Sequence, residues 1–174
     1  MRVIGGEFRS RVLKSVPGLD TRPTPDRLRE SLFNILAPRI AGAVFADLYA
    51  GTGAVGIEAL SRGASRAIFV EQNRDALRVI RENLAALRLT ARAQVSQASV
   101  RAMIPKLHAD LVFLDPPYTI ENEYAAALDV LGRHPPPLVI VQHSTRLKLG
   151  DAYGALRRVR AVQQGSNCLS IYEA

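Results

Sequence analysis

The run Leu111-Val112-Phe113-Leu114 leads directly into Asp115-Pro116-Pro117-Tyr118. Four apolar residues in succession predict a buried strand. The two prolines then remove two backbone donors and narrow the conformations open to the chain. The Asp115 carboxylate and the Pro116 carbonyl are therefore expected as two acceptors facing one point, with the flat ring of Tyr118 beside them. Such a pair suits an amino group attached to an aromatic ring. That nitrogen is a poor nucleophile because its lone pair is delocalised into the ring. Gripping both N–H bonds favours a pyramidal nitrogen whose lone pair points at an electrophile, a step in which positioning and electrostatics do most of the work. Asp115 would take the proton as the product forms, and Tyr118 would stack on the ring. Taken alone, the motif is also compatible with a turn that merely ends a strand.

A second constellation lies upstream. Asp47-Leu48-Tyr49-Ala50-Gly51-Thr52-Gly53-Ala54-Val55-Gly56 follows another apolar run and opens a helical pattern. Gly51 and Gly53 allow a tight turn and close approach to a ligand, and Gly56 allows close helix–sheet packing. Glu71 ends the next apolar run, where a carboxylate can accept hydrogen bonds from both ribose hydroxyls of an adenosine. The glycines alone leave a nicotinamide dinucleotide open. Asp47, however, suits the cationic amino group of a methionine moiety better than a pyrophosphate. Asp47 and its loop resemble motif I of class I methyltransferases, and Asp115 to Tyr118 resemble motif IV of those that act on amino groups. The resemblance implies S-adenosyl-L-methionine as cofactor. Motif IV occurs in enzymes acting on adenine, cytosine, guanine and, with Asn in place of Asp, protein glutamine. Asp115 thus argues mildly against the glutamine enzymes.

The elements that must position these residues can be read from periodicity. Residues 2–4 and 8–13 predict short strands around a Gly5-Gly6 turn, a small N-terminal hairpin. Residues 20–25 form a linker, with Thr24 as an expected N-cap and Pro25 as the first helical residue. Leu28, Leu32, Ile35 and Leu36 follow at helical spacing, and Pro38 stops the helix. Strands are then expected at 43–48, 67–70, 93–95, 111–114 and 138–141. Helices are expected at 54–62, capped by Gly63, and after Asn73, burying Leu77, Ile80, Leu84 and Leu87. Segments 156–162 and 168–172 lack an intervening helix and should pair antiparallel. The alternation predicts an α/β chain with helices on both faces of a mostly parallel sheet and ligands beyond the strands' carboxyl ends.

Arg2-Val3-Ile4-Gly5-Gly6, the stretch from Thr21 to Leu36, residues 47–56, Glu71, residues 115–118 and the closing Gly165-Ser166-Asn167-Cys168-Leu169-Ser170-Ile171-Tyr172 together resemble the RsmD family. That family comprises bacterial 16S rRNA guanine-N2 methyltransferases. The resemblance implies a Rossmann-like class I fold with a seven-stranded, mostly parallel sheet and one antiparallel strand, divided into an N-terminal hairpin and linker (1–24) and a methyltransferase domain (25–174). It implies that Asp115, Pro116, Pro117 and Tyr118 grip a flipped-out base. Asp47, Tyr49, Ala50, Gly51, Gly53, Gly56, Glu71 and Gln72 are expected to hold the cofactor. The stretch Ser96-Gln97-Ala98-Ser99-Val100 lacks the acidic or amide residue that related enzymes often place against the adenine amino group, which leaves backbone groups or Ser99 for that contact.

The bulk numbers bound the partners. A net charge of +7 and a pI of about 10.2 favour polyanions. The first 30 residues carry seven basic residues against four acids; Arg9, Arg11, Lys14 and Arg22 are expected to contact RNA phosphates. Arg157, Arg158 and Arg160 read as a charged strand surface. No membrane partner is expected, since no run approaches about 18 apolar residues. The single Cys168 fits a reducing compartment, and the chain is expected in the cytoplasm as a monomer. His108, His134, His143 and Cys168 lack metal-ligand spacing, so no metal is expected. The alternatives are a DNA adenine or protein glutamine methyltransferase, a non-catalytic RNA-binding module and, more remotely, an NAD-dependent oxidoreductase.

Overall fold

The computed structural model describes residues 1–18, 24–117 and 119–174. Arg22 and Tyr118, and with them most of the expected 20–25 linker, lie outside the described residues.

The strands are β1 (Val44–Leu48), β2 (Arg66–Glu71), β3 (Ala93–Gln97), β4 (Leu111–Leu114), β5 (Leu138–Ser144), β6 (Ala152–Tyr153), β7 (Leu156–Gln164) and β8 (Asn167–Glu173). Among the described residues they form one sheet in the order β3-β2-β1-β4-β5-β8-β7-β6. The first five are parallel, and β8 enters antiparallel between β5 and β7. The expected seven strands are all present. The eighth is β6, a two-residue edge that pairs with β7 through Tyr153 and Leu156 and is too short to show a period in sequence.

The helices are α1 (Asp26–Leu36), α2 (Ala54–Ser61), α3 (Arg74–Ala86), α4 (Val100–Met103) and α5 (Glu121–Leu131). Asn73 caps α3 as expected, accepting from the backbone N–H groups of Asp75 and Ala76. Gly63 follows the end of α2 at φ 107°, and Ala64 N–H bonds Ala59 C=O in the closing pattern of a Schellman motif. Helices α1, α2 and α3 cover one face of the sheet, packing Phe45, Phe69, Phe113 and Ile140 against Leu32, Ile57 and Ile80. Helices α4 and α5 cover the other face over Ala46, Leu48, Leu114 and Val141.

The amino-terminal segment keeps only the base of the expected hairpin, where Val3 N–H bonds Arg11 O and Leu13 N–H bonds Met1 O, both at 2.9 Å. It contains a single antiparallel bridge, Arg2 to Val12, and the intervening residues form turns rather than strands. The reason is local. The buried carboxylate of Glu58 on α2 accepts Ile4 N–H and Gly5 N–H, both at 2.8 Å, and Ser61 Oγ accepts Phe8 N–H at 2.9 Å. Gly5 N–H is thereby diverted from the ladder to the helix, and the Ile4 and Phe8 bonds anchor the turn on α2. Gly6 is required at this junction: at φ 77°, an added Cβ would lie 1.9 Å from Ser61 O. Val3 and Leu13 are buried against Ile57, Leu60 and Leu84, so the segment is packed onto the body of the protein.

Helix α1 also starts differently. Pro25 occupies the N-cap position without a side-chain cap bond, and Asp26 is the first helical residue. Thr24, one residue before that cap, turns its hydroxyl toward the Asp115 carboxyl instead.

Candidate active site

Strand register brings the chemistry together. Asp47 pairs with Phe69 on β2 and Phe113 on β4, and Phe113 pairs with Ile140 on β5. Side chains two residues apart in a strand share a face. Glu71, Asp115 and Gln142 therefore leave the sheet on the same side as Asp47, at the carboxyl end of neighbouring strands. The strand order reverses between β1 and β4, the switch point where open α/β sheets bind ligands.

A cavity of about 700 Å³ opens there. Of the residues singled out from sequence, Asp47, Tyr49, Ala50, Gly51, Glu71, Gln72, Ser99, Asp115, Pro116 and Pro117 line it. Gly53 and Gly56 do not; they shape the loop from behind. Gly53 is the N-cap of α2 at φ 79°. Gly56 lies so close to the sheet that an added Cβ would come within 2.3 Å of the Phe69 ring.

The carboxylates differ in their surroundings. Asp47 is buried and accepts Gly56 N–H at 2.9 Å, which ties β1 to the first turn of α2. Burial pushes its pKa well up, the Gly56 bond opposes this, and the charges of Asp115 and Glu71 add to the rise. Glu71 accepts Gly51 N–H through one oxygen at 2.8 Å and Gln72 and Asn73 N–H through the other, at 2.8 and 2.9 Å. It thus braces the glycine loop while facing the cavity. Burial raises Asp115 from 3.8 to about 7, with the Thr24 hydroxyl bond pulling the other way. Three carboxylates around one cavity favour a cationic occupant, since a positive charge nearby stabilises their ionised forms.

The Asp-Pro-Pro turn is held from below. The buried Tyr124 hydroxyl of α5 donates to Pro116 O at 3.0 Å, fixing one lone pair of that carbonyl; among the described residues no second donor meets it. Tyr49 stands at φ 65° and donates to Glu123 Oε1 at 2.6 Å, while Glu123 also meets Arg101 at 3.6 Å. Burial, followed by the Glu123 bond and charge, raises the Tyr49 pKa and keeps it a neutral donor. Ser99 caps α4, accepting Ala102 N–H at 3.3 Å.

Sequence reasoning missed several residues that line the cavity: Met1, Thr24, Arg101, Ile120, Glu123 and Gln142. Gln142 carried a readable signal, a lone amide at the end of the apolar run Leu138-Val139-Ile140-Val141. Glu123 and Arg101 carried none, because the contact joins helices far apart in sequence.

The basic residues separate into two groups. Arg9 and Arg11 are exposed, and their side chains have no partner among the described residues. Lys14 instead pairs with Glu82 at 2.9 Å. Arg29 is wholly buried, donating to Arg2 O and Asp26, and serves packing rather than solvent contact.

A parallel sheet with β8 inserted antiparallel, a glycine loop after β1, an acid after β2 and Asp-Pro-Pro after β4 define a class I methyltransferase fold. Residues 1–173 match the profile of the family described as "Conserved hypothetical protein 95", and the chain belongs to that family. It is 36% identical over 185 residues to "Putative rRNA methyltransferase YlbH" of Bacillus subtilis, covering 99% of this chain and 98% of that one. It is 40% identical over 120 residues to "Ribosomal RNA small subunit methyltransferase D" of Escherichia coli, covering 68% of this chain and 60% of that one. The solved structure titled "Putative methyltransferase yhhF from Escherichia coli" superposes with a TM-score of 0.87 at 31% identity, covering 100% of this chain and 98% of that one.

Proposed function

We propose that this protein transfers a methyl group from S-adenosyl-L-methionine to the exocyclic N2 of a guanine in small-subunit ribosomal RNA. The observation that carries the reading is the juxtaposition, in one cavity, of the Asp47–Glu71 carboxylates and the Asp115-Pro116 acceptors. The family and its relatives named as rRNA methyltransferases support RNA as the substrate.

The donor set fits the cofactor. Its adenosine ribose would bond Glu71, its cationic amino group would face Asp47, and Tyr49, Ala50, Gly51, Gln72 and Ser99 would line its seat. When bound, the cofactor supplies an electrophilic methyl group on a sulfonium. The chain's own work is to position the amine. Asp115 and the free lone pair of Pro116 O accept its two N–H bonds and turn the nitrogen lone pair toward the methyl. A Thr24 hydroxyl bond holds the Asp115 carboxyl, and Tyr124 holds the Pro116 carbonyl. As the amine becomes cationic, Asp115 accepts the proton. Pro117 stiffens the turn, and Tyr118 is assigned to stacking on the base. No step is assigned to a metal.

Residues 1–24 form, in this reading, an RNA-guiding extension of the catalytic domain formed by 25–174. Arg9 and Arg11 are its first phosphate contacts, with Lys14 and Arg22 adding to the field. The enzyme acts as a monomer in the cytoplasm, where its ribosomal substrate resides.

The test is label transfer from S-adenosylmethionine to small subunits lacking the modification, with DNA and protein controls, followed by digestion to nucleosides. Label in N2-methylguanosine supports the reading. Label only in adenine of DNA or glutamine of protein would leave the motif chemistry standing and reject the substrate.

A further inference from the structure

Among the described residues of the cavity wall, Gln142 is the one with a buried side-chain polar atom that has no hydrogen-bond partner. It is 3% exposed, lines the cavity, and its Oε1 is buried without a hydrogen-bond partner among the described residues. Its amide nitrogen likewise has no hydrogen-bond partner among the described residues. A buried, unpaired amide is costly, on the order of 1–3 kcal/mol for each unsatisfied group. Its neighbours offer no relief: Val141 pairs with Leu114 on one side, and Gln142 itself pairs with Leu169 on the other. A ligand in the cavity that Gln142 lines can supply the missing partner.

We infer that Gln142 reads the Watson–Crick edge of the target base and selects guanine, beside the Asp115-Pro116 pair that grips its amine. The inference rests on the proposed methyl transfer. Register places Gln142 next to Asp115: Leu114 pairs with Val141, so the following residues of the two parallel strands are neighbours on one face. A base whose amine is held at Asp115 therefore presents to Gln142 the ring positions adjoining that amine. In guanine these are N1–H, a donor, followed by O6, an acceptor. One amide meets both, with Oε1 accepting from N1–H and Nε2 donating to O6. In adenine the amine adjoins N1, an acceptor, followed by a C–H. In cytosine it adjoins N3, followed by O2, both acceptors. Either of these bases satisfies only one amide atom. Sites that hydrogen-bond a substrate group reject analogues lacking it far more strongly than apolar pockets do. Motif IV fixes the amine, and Gln142 adds the identity of the ring that carries it.

The experiment compares wild-type, Gln142→Leu and Gln142→Glu enzymes in single-turnover methyl transfer to unmodified small subunits, with S-adenosylhomocysteine binding by calorimetry as the second readout. Gln142→Leu is expected to lower the single-turnover kcat/KM about 10–100-fold, the loss set by an unpaired N1–H. S-adenosylhomocysteine affinity should stay within about twofold, since the amide faces the base rather than the cofactor. Gln142→Glu keeps an acceptor for N1–H and should recover part of the loss. Unchanged transfer in Gln142→Leu would overturn the inference. Equal loss of transfer and of S-adenosylhomocysteine binding would overturn it too, showing a cofactor or folding role. Failure of the wild-type enzyme to label guanine N2 would instead reject the underlying reaction.

Discussion

The half-buried carboxyl of Asp115 makes the stability of this protein depend on pH in a way that Asp115→Asn should abolish. Its pKa is raised from 3.8 to about 7, chiefly by burial. A carboxyl raised in the fold stabilises it fully below the unfolded pKa, and that contribution is lost as pH climbs through the folded one. The window is thus from about pH 4 to about pH 7, with a plateau above. At about 1.4 kcal/mol per pKa unit, the full span would cost the fold about 4 kcal/mol. Because the residue is partly solvent-reached, about 1–3 kcal/mol is the expected loss. Asn carries no titrating proton, so the stability of Asp115→Asn relative to wild type should rise from pH 5 to pH 7 and then level. Asp47, also raised, is present in both proteins, so the part of its shift due to burial cancels, while the smaller part due to the Asp115 charge is lost in the variant. The assay is urea denaturation at pH 5, 6, 7 and 8. A difference between the two proteins that stays constant across that range would refute the burial argument.

Three further outcomes follow from the packing. Gly56→Ala should destabilise the protein by about 1–3 kcal/mol in urea melts, because its Cβ would meet the Phe69 ring at 2.3 Å; Phe69→Leu should restore part of the loss. Tyr124→Phe releases the Pro116 carbonyl and should lower single-turnover methyl transfer about 5–20-fold while leaving S-adenosylhomocysteine binding unchanged in calorimetry. Arg9→Ala and Arg11→Ala should each weaken RNA binding and reduce the salt slope by about one, read from filter binding across salt concentrations, whereas Glu82-paired Lys14→Ala should do less.

Much of the site was legible because the chemistry sits at strand ends that the sequence marks. Apolar runs located β1, β2, β4 and β5, and the acids at or just beyond their carboxyl ends, Asp47, Glu71 and Asp115, are those the sheet brings to one face. What was not legible depends on contacts between distant segments. The expected hairpin at 2–13 is shortened to its base because Glu58 and Ser61, more than forty residues on, capture backbone donors near its turn. Thr24 reads locally as a helix cap and instead meets Asp115. Tyr124 and Glu123 belong to α5, whose weak amphipathic pattern announces neither the Pro116 nor the Tyr49 bond. The deep packing of Val3 and Leu13 also changes how the amino terminus should be probed. Deleting it would expose the core, so single arginine replacements are the cleaner test.

The central claim is that Asp115 and the Pro116 carbonyl position an amine for transfer without holding the cofactor. Single-turnover transfer of labelled methyl to unmodified small subunits, wild type against Asp115→Ala, tests it most directly. The account predicts a fall of about 100–1,000-fold in rate, the scale of losing one preorganised group at a reacting centre, with S-adenosylhomocysteine affinity nearly preserved. Transfer by Asp115→Ala at close to the wild-type rate would contradict it.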